Sequence, residues 1–153
     1  MQATFHRIEE QTDYIFKIYD PRTGTNSKRI KIRTKQEQDN SCLVYVYSRV
    51  DDDFNVNYDF YEVSDEKIIP IFTSIYKEPL LIRKRREVWE LNNQLFHLDS
   101  VEGVGDVFEI EVIRNDNHAS DVHYEQSGTI KLFENFLSSQ IQGSNEDLIT
   151  PKE

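Results

Sequence analysis

The sequence is poor in sulfur and in chain-breaking residues, with one cysteine, one methionine, five glycines and four prolines among 153 residues. A lone Cys42 excludes an intramolecular disulfide, and its apolar neighbours Val44 and Val46 place it in a buried strand of a protein from a reducing, cytoplasmic setting. No apolar run reaches the roughly 20 residues of a membrane helix, and the N-terminus lacks the apolar block of a signal peptide. The expectation is therefore a protein neither inserted in a membrane nor exported. Pro/Gly/Ser-rich linkers and internal repeats are also missing, which argues for one domain. Basic residues are the scarcer charge, with 18 Lys and Arg against 28 Asp and Glu and a net charge of −10. That balance excludes broad binding to nucleic acid or to anionic membranes, so an anionic ligand has to meet a local basic cluster.

What the chain does contain is bulky packing material. The apolar share is only 37%, but eight Tyr, nine Phe and Trp89 supply large side chains. They fall in short runs of strand character. Residues 12–19 (TDYIFKIY) read as a strand that stops at Asp20-Pro21, and residues 28–34 (KRIKIRT) alternate strictly between charged and apolar. Residues 43–49 and 56–63 form a further pair around the acidic loop Asp51-Asp52-Asp53, with a short helix between Asp65 and Tyr76 that Pro70 restricts. Residues 80–90 and 95–101 follow, joined through Asn92-Asn93 as a tight turn, and then residues 107–113 after Gly103 and Gly105. Ile130, Phe133, Phe136, Leu137 and Ile141 recur at helical spacing and mark a closing amphipathic helix. The sum is an α+β domain dominated by antiparallel strands over residues 1–142, with 143–153 as a tail or partial last helix.

Three of these strands back an apolar face with a charged one: Arg29, Lys31 and Arg33 on one, Lys84 and Arg86 on a second, Glu109 and Glu111 on a third. Two readings are open from the residues alone. Antiparallel sheets commonly have one wet face, and these charges then simply meet solvent. Wet faces usually intersperse signs, however, whereas here the signs sort onto different strands. If the sheet closes into a barrel, like charges crowd a lumen and call for a partner of both characters, an anion on the Arg and Lys side with a divalent cation on the carboxylate side. Polyphosphate with Mg²⁺ or Mn²⁺ satisfies both. Glu109 and Glu111, ~6.6 Å apart on one strand face, are spaced to flank one hard cation or to hold two.

Residues 80–112 (LLIRKRREVWELNNQLFHLDSVEGVGDVFEIEV) resemble the CYTH superfamily of triphosphate-tunnel enzymes, and most closely its class IV adenylate cyclase branch. The marks are a V-x-K-x-R type strand (Ile82, Lys84, Arg86), then H-L-D-x-V-x-G-x-G from His97 to Gly105, then E-x-E (Glu109, Glu111). Upstream, Gln11-Thr12-Asp13-Tyr14-Ile15-Phe16 resembles the family's Q-x-D-T-Y-F strand, and Arg29 to Arg33 resembles R-L-K-L-R. Residues 141–149 (IQGSNEDLI) are similar to the linker and start of its last helix.

The resemblance implies an antiparallel barrel, or tunnel, with helices packed outside. It implies that Lys31, Arg33, Arg49, Lys84 and Arg86 hold phosphates and that Glu109 and Glu111 hold Mg²⁺ or Mn²⁺. It puts Asp99 and Lys84 at the chemistry, with His97 on the same strand face as Asp99. The implied ligand is a nucleoside triphosphate or inorganic triphosphate. The implied activity is either ATP cyclisation to cyclic AMP and pyrophosphate or triphosphate hydrolysis. The pattern also departs from the family's. The E-x-E-x-K first strand has no counterpart, and residues 1–10 (MQATFHRIEE) resemble only the end of the following helix and its turn. Leu95 replaces an Arg, Asn55 lies near a usually basic position, and the S-Y-x-D-L segment is missing. A barrel without its first strand exposes two edges and favours homodimerisation. Loss of those metal ligands keeps a second reading open, a catalytically impaired triphosphate-binding module.

Overall fold

The computed structural model describes residues 2–35, 41–48, 58–112, 128–139 and 148–149. Seven strands make one antiparallel sheet: β1 Thr4–Asp20, β2 Thr25–Lys35, β3 Cys42–Ser48, β4 Tyr58–Val63, β5 Leu80–Leu91, β6 Gln94–Val101 and β7 Gly105–Val112. Their order is β4-β3-β2-β1-β5-β6-β7, so the long β1 lies at the centre with hairpins spreading to either side. Helix α1 (Ile68–Tyr76) links the two halves, and a short helix α2 at 128–133 runs into a single 3₁₀ turn, Glu134–Phe136. No helix among the described residues is long and apolar enough to cross a membrane.

Strand β1 begins eight residues before its expected start, and residues 4–10, which resemble a helix end and its turn, are strand. The cause is tertiary pairing. Glu9 and Glu10 lie in register with Arg86 and Arg85 of β5, and Glu9 also accepts a hydrogen bond from Lys35 of β2 at 2.9 Å. A segment with no apolar alternation is thus held as strand by charged neighbours on both sides. Other expectations of local structure hold more simply. Pro70 sits in the first turn of α1, where its missing N–H has no intrahelical acceptor to lose. Asn92 takes a φ of 57° in the β5–β6 turn, a conformation Asn tolerates.

One sheet face packs under α1, where Phe16, Ile32, Cys42 and Val44 are buried against Ile68, Ile69 and Phe72. On the opposite face Ile15, Ile82, Val101 and Val107 form a second apolar cluster, with Leu80 and Val104 beside it. The first layer comes from the apolar halves of alternating strands, whereas the second shares its sheet face with Asp13, Lys84 and Asp99. Farther along the α1 face of the sheet, Phe133 of α2 meets Phe96 and Phe108 with ring centroids 5.7 and 5.0 Å away.

The expected closed barrel is corrected to an open one. Among the described residues no backbone ladder joins the edge strands β4 and β7. The sheet nevertheless curls far enough for those edges to meet through side chains, because the Tyr58 hydroxyl of β4 donates to a Glu111 carboxylate oxygen of β7. The accumulated twist of seven strands thus produces a trough whose rim is bridged by one phenol.

Candidate functional site

The trough is lined by the charged halves of the alternating strands. Register puts Arg33 opposite Asp13, Arg86 opposite Asp99 and His97 opposite Glu109, with each pair on the same face. The solvated-face reading fails for this set: Arg33 is 5% exposed, Lys84 5%, Arg86 6% and Asp99 1%. Groups this buried need partners.

Three carboxylates supply most of them. Arg33 donates two hydrogen bonds to Asp13, Nε to Oδ1 at 2.7 Å and Nη2 to Oδ2 at 2.8 Å. Asp99 accepts Lys84 Nζ at 2.6 Å on Oδ2 and both Arg86 Nε and Arg86 Nη2 at 2.6 Å. Arg86 Nη2 reaches Glu109 Oε2 as well, at 2.6 Å. Burial works against the charge on Asp13, but the Arg33 guanidinium outweighs it and holds the carboxyl well below the usual range. Arg33 in turn is raised: burial opposes its charge and Asp13 more than restores it. Glu109 follows the same logic, with burial opposed by Lys84, the nearby His97 and Arg86, and it too is held well below an ordinary glutamate.

Lys31 differs from its neighbours. It has no carboxylate within salt-bridge distance among the described residues; its ammonium instead lies 4.5 Å from the Tyr45 ring centroid and 5.7 Å from that of Tyr47. Burial, aided by the Arg33 charge, pushes Lys31 down to about 8 despite Asp13 and Glu109. A cation lying over aromatic rings beside another cation is a ready counter-charge for an incoming anion.

At the β7 side His97 lies between the two glutamates, Nδ1 3.8 Å from Glu109 Oε2 and Nε2 3.6 Å from Glu111 Oε2. Side-chain exposures of 40% for Glu109 and 38% for Glu111 leave carboxylate surface open to the trough. Among the described residues no three His, Cys, Asp or Glu side chains gather as a metal cage. Two hard-oxygen donors on one strand face do fit Mg²⁺ or Mn²⁺ where phosphate oxygens and water complete the shell, as is usual for such ions at phosphate sites.

The structure therefore brings Lys31, Arg33, Lys84, Arg86, Asp99, Glu109 and Glu111 to one face, while Arg49 lies outside the described residues. Arg29 shares that face, but its guanidinium turns back onto the carbonyls of Asn26 and Lys28. Sequence reasoning assigned no role to Asp13, Glu9, Tyr45 or Tyr58. Only Asp13 carried a signal, since it sits two residues after Gln11 on a strand face shared with Ile15.

The family model described as CYTH domain matches residues 1–134. The chain belongs to the CYTH domain family. Solved structures place this CYTH chain among several relatives by fold. The PH1012 protein of Pyrococcus horikoshii superposes with a TM-score of 0.76 at 24% identity, over 97% of this chain and 87% of that one. An adenylate cyclase candidate from Vibrio parahaemolyticus gives 0.71 at 13% identity, over 97% and 85%. A Hippeastrum protein, titled as an adenylyl cyclase candidate with a dominant triphosphatase activity, gives 0.58 at 16% over 95% and 83%. These superpositions establish a shared fold for the CYTH chain. Among curated proteins, none matches the sequence.

Proposed function

We propose that this CYTH domain binds a triphosphate in its trough, with Lys31, Arg33, Lys84 and Arg86 on the phosphates and Glu109 and Glu111 toward a divalent cation, Mg²⁺ or Mn²⁺. The observation that carries the reading is Lys31, a half-buried cation without a carboxylate partner among the described residues, set beside Arg33 on the face that also bears Lys84 and Arg86. A bound divalent cation neutralises phosphate charge and polarises the phosphorus under attack. The chain's own groups do the rest. Arg33 and Arg86 are pre-aimed by Asp13 and Asp99, so their N–H groups are oriented before the anion arrives. Asp99 itself is enclosed, which makes its part the holding of Lys84 and Arg86 in place.

Two reactions suit such a site: attack of the ribose 3′-hydroxyl on the α-phosphorus of ATP with loss of pyrophosphate, or attack of water on a terminal phosphorus. The adenylate cyclase and triphosphatase descriptions of the Vibrio and Hippeastrum relatives favour this pair of chemistries over others. The alternative is a module that binds triphosphate and turns nothing over, favoured by the lack of a three-residue metal cage among the described residues. Incubation with ATP or tripolyphosphate and Mn²⁺, followed by assay of cyclic AMP, pyrophosphate and phosphate, separates them. Product formation supports the enzyme, binding without product supports the module, and absence of binding refutes both.

A further inference from the structure

The β3–β4 side of the trough has a chemistry of its own. Register places Phe60 opposite Tyr45 and Tyr58 opposite Tyr47, all on the trough face. The rings touch: Tyr45 meets Tyr58 edge-on at 5.4 Å between centroids and Phe60 at 6.3 Å. Yet Phe60 is 62% exposed and Tyr58 40%. The remaining aromatic surface on the inner face of an otherwise ion-paired trough is left open.

Tyr45 ties this wall to the cations. Its ring carries Lys31 Nζ at 4.5 Å and the Arg33 guanidinium carbon at 5.3 Å from its centroid. A ligand anchored on Lys31 and Arg33 by phosphate thus has open aromatic faces one ring contact farther along the same side. Inorganic triphosphate has nothing to lay on such a surface. A nucleotide base does, and stacking accepts every base because each has a π-face.

We propose that Phe60 and Tyr58 form a stacking platform for the base of a nucleoside triphosphate, so that this site prefers nucleoside triphosphates to inorganic triphosphate. The proposal rests on the triphosphate reading given above and names its substrate class. Purines, with the larger ring, bind more tightly than pyrimidines, and ATP and GTP are nearly equivalent because the platform carries no hydrogen-bond code.

The test is equilibrium binding of ATP and tripolyphosphate in EDTA, which suppresses metal-dependent turnover, to the unaltered protein and to Phe60→Ala and Phe60→Leu. The exposed position of Phe60 lets both variants fold, and Phe60→Leu keeps apolar bulk while removing the ring. The expected result is that ATP binds about tenfold more tightly than tripolyphosphate, and that both variants lose that margin while tripolyphosphate affinity stays constant. Equal affinities in the unaltered protein, or equal losses for both ligands in the variants, overturn the platform and leave the triphosphate site standing. Binding of neither ligand, in EDTA or with Mg²⁺ restored, overturns both readings.

Discussion

Arg86 and Asp99 face each other across the β5–β6 ladder in a two-point ion pair, and the same carboxylate also holds the ammonium of Lys84 at 2.6 Å. One acid therefore partners two buried bases. Replacing it by a neutral isostere strands Lys84 and leaves Arg86 with Glu109 alone, and a buried charge that loses its partner is costly. Asp99→Asn is expected to lower stability by about 3–5 kcal/mol, read as a shift in the urea midpoint. A loss below about 1 kcal/mol would show that solvent reaches these cations and that Asp99 does not organise them.

Lys31 gives a pH signature. Its folded value, about 8, lies below the ordinary 10.5 because burial and Arg33 oppose its charge. Between those values the unfolded chain binds the extra proton, so this group's contribution to stability rises with pH from about 8 to 10.5. Triphosphate binding moves the other way, since the anion needs the charged amine. Affinity for tripolyphosphate should fall as pH rises through 8 and beyond, and Lys31→Met should remove that step while stabilising the unliganded protein at neutral pH. Isothermal titration at several pH values, with a thermal melt of each form, measures both.

The acid side is set by Asp13 and Glu9. Burial raises Glu9, but hydrogen bonds from Lys35 and Arg7 prevail and hold it at about 2, while Arg33 keeps Asp13 lower than an ordinary aspartate. A carboxylate depressed in the folded state stabilises above its unfolded value and loses that contribution as pH falls through its folded one. For Glu9 the window runs from 4.5 down to about 2. Urea midpoints measured across that window should drop steeply for the unaltered protein and less steeply for Lys35→Met. Identical slopes would mean that the Glu9–Lys35 pair is solvated.

Tyr58 competes for Glu111. As long as its hydroxyl donates to that carboxylate, one of the glutamate's oxygens is engaged at the trough rim. Tyr58→Phe should release it and tighten Mn²⁺ binding in the presence of tripolyphosphate by about fivefold, equivalent to about 1 kcal/mol for an accessible hydrogen bond to a charged group. Electron paramagnetic resonance of free Mn²⁺ reads this directly. Weaker binding would mean that the phenol helps to place Glu111 for the cation.

Much of this was legible in the sequence because strand alternation is a strong signal. KRIKIRT and VFEIEV show which residues share a face, and the trough lining follows once those faces turn inward. Residues 4–10 were not legible, since their strand depends on Arg85, Arg86 and Lys35, which are distant in sequence. The ion pairs were hidden for the same reason. Alternation told that Arg33 and Asp13 each lie on a charged or mixed face, but only the β1–β2 register makes them partners. Closure failed as an expectation because curl and hydrogen-bonded closure are separate properties: twist brings β4 and β7 near each other without aligning their backbone donors and acceptors.

The phenol bridge at the rim also bears on how a ligand gets in. Among the described residues the wall is laced by backbone ladders everywhere except between β4 and β7, where one side-chain bond spans the seam. Parting it costs on the order of 1 kcal/mol, against several for unzipping a strand. A triphosphate entering along such a seam would not need to be threaded end first, and a bulky group on one end would not hinder it.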